Sequence, residues 1–327
     1  MSEVEGNNCL GVYRVPISRT EGVFPSSAGT GDIFYRVWHS AKAPRAAIQI
    51  VHGMAEYGER YEDFARALNN AGYDVWVMDL PGHGRSTQSD DDLGYFGKEL
   101  GRKKVVTDIR KLTGLMRDTY PDSLPIILFG HSMGSLLARS YCERYSGDLA
   151  GAVFCGTSPP NPAAAAGIMM AKLVSFARGA HYRSTLIDNI AFGTYNKRIP
   201  KPRTKFDWLN TDAAEVDKYL ADDWCGFLFT AQGFLDLFSL LKSVSNKQWF
   251  TSMPYQFPIL LIAGAEDPVG GYGKGVELVA RRLREAGGNR TQCIIYEDMR
   301  HEILNEPARL QVYGAVIEWL GKTLSAE

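Results

Sequence analysis

What most constrains this chain is a set of short apolar runs that do not alternate. Residues 46–51, 73–78, 126–129, 149–155 and 258–263 are near-continuous in apolar character. A strand with one wet face alternates apolar and polar side chains, whereas a continuous run is buried on both faces. Between these runs lie segments with helical spacing at residues 59–71, 98–120, 135–145, 272–286 and 307–324. The first of these carries Tyr61, Phe64, Ala65 and Leu68 on one face and closes at Gly72. Strand and helix in regular alternation with short connections predict an α/β fold, a mostly parallel sheet with helices on both faces. Residues 32–38 alternate, as an outer antiparallel strand would, and 292–296 supplies a further strand. Residues 1–30, rich in Gly, Ser and Asn, are expected to lie loosely over the surface.

The alternation stops at Thr157-Ser158-Pro159-Pro160 and resumes only after Met253-Pro254. The intervening stretch shows helical segments at 163–178, 213–220 and 226–244, separated by Pro-rich pieces such as residues 199–202. The expected organisation is a core of residues 1–157 and 251–327 with a helical cap, or lid, of residues 158–250 inserted into it.

Composition narrows the function classes. The chain has 327 residues, 45% hydrophobic and 22% charged, with a formal net charge of -1. That is enough to bury a large core, and it leaves no basic stripe of the kind nucleic acid requires. No window approaches 18 consecutive apolar residues, and the acidic start, Met1 to Glu5, lacks the apolar region of a secretory signal. Cys9, Cys142, Cys155, Cys225 and Cys293 are odd in number and scattered, without C-x-x-C spacing. Reduced thiols in a cytoplasm are the expectation, not a disulfide framework or a zinc site. No dinucleotide or phosphate-loop fingerprint occurs, and His301-Glu302 lacks the second His of H-E-x-x-H, so neither cofactor nor metal is expected.

Against that background the run ending at Phe129 leads into Gly130-x-Ser132-x-Gly134. A sharp strand-to-helix turn there exposes the Ser132 hydroxyl and uses both glycines for close backbone approach. A serine nucleophile needs a histidine base, and the base needs a carboxylate to hold its tautomer. In α/β-hydrolases these follow in the order Ser, acid, His. Only His181 and His301 follow Ser132; His181 falls in the insertion, whereas His301 lies on a loop between a strand and the last helix. Asp267 stands just past the 258–263 strand, kept extended by Pro268, with Glu266 as rival and Asp298 too close to His301 in sequence. The oxyanion donors are expected to be the backbone amides of Met133 and Met54. His52 is read as orienting its loop, and His83 and His131 as structural. Asp79 and Arg85 are read as tying together the Pro81-Gly82-His83-Gly84 loop.

Five stretches carry a resemblance: HGMAEYGERY (His52 to Tyr61), MDLPGHGRS (Met78 to Ser86), GHSMGS (Gly130 to Ser135), GAEDPVG (Gly264 to Gly270) and MRHEILNE (Met299 to Glu306). Taken together, in order, they make the chain similar to α/β-hydrolases of the monoacylglycerol lipase and lysophospholipase group, which share a domain with serine aminopeptidase-like sequences. The resemblance implies a Ser132/Asp267/His301 triad and hydrolysis of carboxylic esters. It departs at Tyr57, where the group commonly has His, and the insertion follows the group's cap only loosely.

The expected partner is a small-molecule acyl ester or a lipid. Apolar cap residues, among them Met169, Met170, Phe234 and Phe238, are expected to pack the cap itself, line an acyl tunnel, or touch a membrane surface transiently. Two other readings compete. One is an amidase or aminopeptidase, for which Asp222-Asp223 could hold a substrate amine; the other is a non-catalytic ligand-binding hydrolase fold. Oligomeric state is not readable from the sequence.

Overall fold

In the computed structural model, which describes residues 18–325, the apolar runs become the inner strands of one eight-stranded sheet. The strands are β1 (Arg19–Pro25), β2 (Asp32–Trp38), β3 (Ala46–Val51), β4 (Tyr73–Met78), β5 (Ile126–His131), β6 (Gly151–Cys155), β7 (Ile259–Gly264) and β8 (Thr291–Tyr296). Their order across the sheet is β1-β2-β4-β3-β5-β6-β7-β8. β3 to β8 run parallel, and every residue of β3 to β7 is buried, as continuous apolar character requires. The order reverses beside β3, which pairs with β4 on one edge and β5 on the other. Open α/β sheets place their crevice at the carboxyl ends of such strands.

Helices α1 (Glu62–Asn70), α2 (Gly101–Thr119) and α3 (Met133–Tyr145) follow β3, β4 and β5. Between β6 and β7 come α4 (Ala164–Arg178), α5 (Thr185–Phe192), α6 (Ala213–Ala221), α7 (Ala231–Ser243) and α8 (Lys247–Ser252), with no strand of the sheet among them. α9 (Lys274–Glu285) and α10 (Arg309–Leu324) complete the chain. One apolar cluster joins Phe64 of α1 to Val316 and Trp319 of α10 on one face of the sheet. On the other, residues of α2, α3 and α9 share a single cluster with Ala171, Ile187, Phe234 and Leu237 of the insertion. The insertion therefore has no separate main core; its apolar interior continues that of one sheet face. No helix of the described residues is long and apolar enough to cross a membrane.

Several sequence expectations need correction. Within residues 1–30, Arg19–Pro25 is not loose: it pairs along the whole of β2 as an antiparallel edge strand. Its side chains are mostly exposed, so no apolar period marks it, and the backbone ladder holds it instead. Residues 1–17, and Cys9 with them, lie outside the described residues. The helix expected at 135–145 begins at Met133, directly after Ser132. The helix expected at 59–71 opens with a 3-10 turn over Gly58–Tyr61, and the segment expected at 226–244 is helical only from Ala231. α5 and α8 are additional; their Ser184 and Asn246 caps, accepting from the Ile187 and Trp249 amides, were legible signals.

Arg139 of α3 fixes both ends of the insertion. It is fully buried, and its guanidinium donates to the Ser158 carbonyl at 2.9 Å, where the insertion leaves, and to the Val244 carbonyl at 2.5 Å, where it returns. The cation also stands 4.2 Å from the ring centre of Trp249, whose indole N–H donates back to the Arg139 carbonyl at 2.8 Å. No carboxylate pairs with it among the described residues, and burial pulls its pKa down to about 9.

The turn between β5 and α3 is packed to contact. A Cβ on Gly134 would run into the carbonyl oxygens of Val51 and His52 at the end of β3, and one on Gly130 into the Gly134 carbonyl. Gly134→Ala should therefore lower stability by at least about 2 kcal/mol, read as a drop in the urea midpoint at unchanged m. A midpoint equal to that of the wild type would show that β3 and α3 can separate without cost.

Candidate active site

Ser132 occupies the turn itself. Its backbone sits at φ 52°, ψ -121°, a region that L-residues avoid and that costs about 1–3 kcal/mol. The surroundings enforce it: the Ser132 amide donates to the Cys155 carbonyl on β6 at 2.9 Å, and the Ser132 carbonyl accepts from the Ser135 hydroxyl at 2.5 Å. The side chain is only partly buried and faces a cavity of about 570 Å³.

Asp267 and His301 meet beside it. Asp267 follows β7, is wholly buried, and its Oδ1 accepts from the Val269 amide at 2.8 Å. Its Oδ2 stands 3.0 Å from Nδ1 of His301, off the line of a straight hydrogen bond, and neither atom has another partner among the described residues. The rivals separate clearly: Glu266 and Asp298 are exposed. Burial would lower the His301 pKa, but the Asp267 carboxylate outweighs it, aided by Glu302 and Glu56, and holds the imidazole above its ordinary value. His301 lines the same cavity as Ser132. His181 does not join them; it is exposed and lies against Tyr95.

The Met54 and Met133 backbones also reach the cavity, and among the described residues neither amide has an internal acceptor. Met133 opens α3, where free N–H groups point outward with the positive end of the helix dipole. The Met54 loop is held by Glu56, whose Oε1 accepts from the Gly53 amide at 2.6 Å and from the Tyr61 hydroxyl at 2.8 Å. His52 orients this loop as expected: Nδ1 donates to the Gly53 carbonyl at 2.8 Å and Nε2 accepts from the Leu80 amide at 2.9 Å. Burial brings His52 down to about 4, so it stays neutral. His83 accepts from the Ala55 amide at 3.3 Å. Asp79 accepts from the Gly58 and Arg85 amides, both at 2.8 Å, whereas the Arg85 guanidinium turns away to Glu21 on β1. Only the Arg85 backbone ties the loop. The His131 ring packs 4.9 Å from that of His301 with its Nδ1 unpartnered.

Sequence reasoning passed over the charges behind the site. Arg60 donates to both oxygens of Glu302 at 2.6 and 2.8 Å and to Glu56 at 2.8 Å, linking the loop after β3 to the residue beside His301. The i,i+4 spacing of Glu56 and Arg60 was the visible part of this network. The insertion also reaches the base loop. The Glu302 amide donates to the Leu209 carbonyl at 2.7 Å, and the Trp208 ring packs 5.1 Å from His301. Tyr57, the departure noted above, donates its hydroxyl to Asp222 at 2.8 Å and packs edge-on against Trp224, so it fastens the insertion to the core. Asp222 and Asp223 do not line the cavity. Of the two adjacent methionines, Met170 lines it, while Met169 is turned out to solvent and 66% exposed. Phe238 lines it too, whereas Phe234 is buried in the insertion.

Known proteins resemble this chain along most of its length. The family model described as serine aminopeptidase, S33, matches residues 42–308. A monoacylglycerol lipase of Mycolicibacterium smegmatis is 28% identical over 313 residues, covering 94% of this chain and 98% of the relative. Human monoglyceride lipase is 27% identical over 72% of this chain and 69% of its own length, and a phospholipase of Bacillus subtilis is 24% identical over 84% and 95%. Among solved structures, a thermostable carboxyl esterase from Bacillus coagulans in complex with glycerol superposes with a TM-score of 0.88 at 28% identity, over 94% of this chain and 99% of that one. A lipase in an open form gives 0.87 at 26%, with the same coverage. The chain is an α/β-hydrolase and belongs to the serine aminopeptidase, S33, family.

Proposed function

We propose that this hydrolase cleaves carboxylic esters of small to medium acyl chain, such as monoacylglycerols or lysophospholipids, through an acyl-enzyme on Ser132. The observation that carries the reading is the strained Ser132 opening onto the same apolar cavity as His301, with Asp267 buried behind the imidazole. His301 Nε2 takes the Ser132 proton as Oγ attacks the ester carbonyl, and the Met54 and Met133 amides receive the oxyanion. His301 returns the proton to the leaving alkoxide as the C–O bond breaks. Water then attacks the acyl-enzyme with the same base, releasing the acid and restoring the serine. The wall formed by Leu136, Met170, Leu237, Phe238 and Leu241 suits an acyl chain.

Two further parts of the reading have specific support. Met169, Leu173 and Phe176 of α4 and Leu186 and Ile190 of α5 are 60–91% exposed, which favours transient contact of the insertion with lipid assemblies. The thiols of Cys142, Cys155, Cys225 and Cys293 are all free, which fits a reducing cytoplasm. The aminopeptidase alternative loses its expected amine site, because Asp222 is engaged by Tyr57 and lies off the cavity. A merely ligand-binding role gives no reason to maintain backbone strain at Ser132.

Ser132→Ala should lose roughly 10⁴- to 10⁶-fold in kcat on p-nitrophenyl esters and all labelling by a serine-directed phosphonate, with its melting transition retained. Activity within tenfold of the wild type would sink the nucleophile assignment. Because the base must be neutral, kcat/KM should rise with pH through a pKa above the usual imidazole value. In Asp267→Asn the burial of His301 is no longer opposed, so that acid limb should move to lower pH while kcat falls about 10⁴-fold. An unmoved limb would break the pairing of Asp267 with the base. Phe176→Asp should reduce co-sedimentation with phosphatidylcholine vesicles; undiminished binding would remove α4 from the lipid contact.

A further inference from the structure

Ester cleavage by the chemistry above has a direction. The leaving oxygen takes its proton from His301, so the alcohol part of the ester lies near that ring as the C–O bond breaks. Trp208 lies against His301 at 5.1 Å, Tyr195 against Trp208 at 4.9 Å, and Phe192 against Tyr195 at 5.4 Å. This aromatic ladder leads back into α5 and forward along the segment that holds Lys205. Asp188 of α5 and Lys205 both line the cavity on this side, together with Asn189 and Asn196.

The two charges are unusual in being unspent. Among the described residues no side chain or amide hydrogen-bonds to the Asp188 carboxylate, and no cation lies within ion-pair distance of it. The Lys205 ammonium meets only the Phe206 ring, at 4.7 Å. Asp188 is half-buried, and burial pushes its carboxyl up while Lys205 draws it partly back. Lys205 thus influences Asp188 without closing into a salt bridge with it. A first-turn acid suits the α5 dipole and explains why an Asp is tolerated there. It does not explain a half-buried, unpaired carboxylate lining an apolar cavity that the exposed Lys205 also lines.

We propose that Asp188 and Lys205 form the leaving-group subsite and accept a zwitterionic alcohol, its ammonium at Asp188 and its phosphate at Lys205. This rests on the ester-hydrolase reading and sharpens it: the preferred substrate is a zwitterionic lysophospholipid, not a neutral monoacylglycerol. The apolar lining residues Met170, Leu237, Phe238 and Leu241 take the acyl chain. An ammonium could also reach Asp188 as the α-amine of an aminoacyl substrate, and the test separates the two sources.

The experiment measures kcat/KM of the full chain on dodecanoyl esters below their micellar concentrations. The panel is lysophosphatidylethanolamine, lysophosphatidylcholine, lysophosphatidic acid and monoacylglycerol, with an aminoacyl p-nitroanilide added and p-nitrophenyl butyrate as the reference for an intact triad. The expected result is that the zwitterionic esters exceed monoacylglycerol by about tenfold. Asp188→Asn should abolish that ratio mainly through KM, and Lys205→Gln should lower every phosphate-bearing ester relative to monoacylglycerol. Asp188→Lys should transfer the preference to lysophosphatidic acid, a gain that a purely structural role for Asp188 cannot produce. All variants are read as ratios to their own p-nitrophenyl butyrate rate, and the exposed Lys205 keeps the test open if an Asp188 variant folds poorly. Equal rates on monoacylglycerol and the zwitterions, or a preference that survives both neutral variants, would overturn the subsite. Faster cleavage of the anilide would overturn it in favour of an amine-bearing acyl group. Absence of p-nitrophenyl butyrate hydrolysis in the wild type would instead remove the ester-hydrolase reading beneath it.

Discussion

The structure depends on one close approach, that of the first turn of α3 to the carbonyl end of β3. There is room at Gly134 for a hydrogen and nothing larger before the Val51 and His52 carbonyls. That contact fixes three things together. It forces the abrupt reversal that puts Ser132 at positive φ, it aims the opening amides of α3 into the cavity, and it brings the Met54 loop alongside them. The strain at Ser132 is affordable because β6, through the Cys155 carbonyl, and Ser135 over-determine the turn.

Around this turn, buried charges set geometry more than they add stability. Glu56, Arg60 and Glu302 are all largely out of water, where an ion pair roughly offsets its own desolvation. What the network accomplishes is registration: the loop after β3 and the loop after β8 cannot shift independently. Asp267 works likewise on His301, outweighing the effect of burial on the imidazole. Arg139 is the counterpart for the insertion, holding it at Ser158 and at Val244 from within the helix that begins at Met133.

The legible part of the fold was the part governed by burial on two faces. Strands β3 to β7 announced themselves by continuous apolar character, and the break after β6 marked the insertion. β1 was invisible because its attachment is a backbone ladder, which leaves no trace in side-chain pattern. Chain order and strand ends point to Ser132, Asp267 and His301 because they restrict where such residues can stand, and Asp267 lies against His301 whereas Glu266 is exposed. Glu302, Trp208 and Arg139 were not readable. Their roles rest on partners 19 to 242 positions away, and no local spacing encodes those contacts.

The backbone contact between the insertion and the base loop has a kinetic meaning. The Glu302 amide is capped by Leu209, a residue of the insertion, and the carbonyls of Asp207 and Asn210 accept from the Arg300 guanidinium at 2.7 and 2.8 Å. Exchange of the Glu302 amide therefore requires its contact with the Leu209 carbonyl to open, although the residue lies within the core chain. Movements confined to the outer face of α4 and α5 leave this amide protected, and any excursion that frees it also releases the histidine from its register. The loop that carries His301 and the insertion are thus joined through main-chain atoms as well as through side chains.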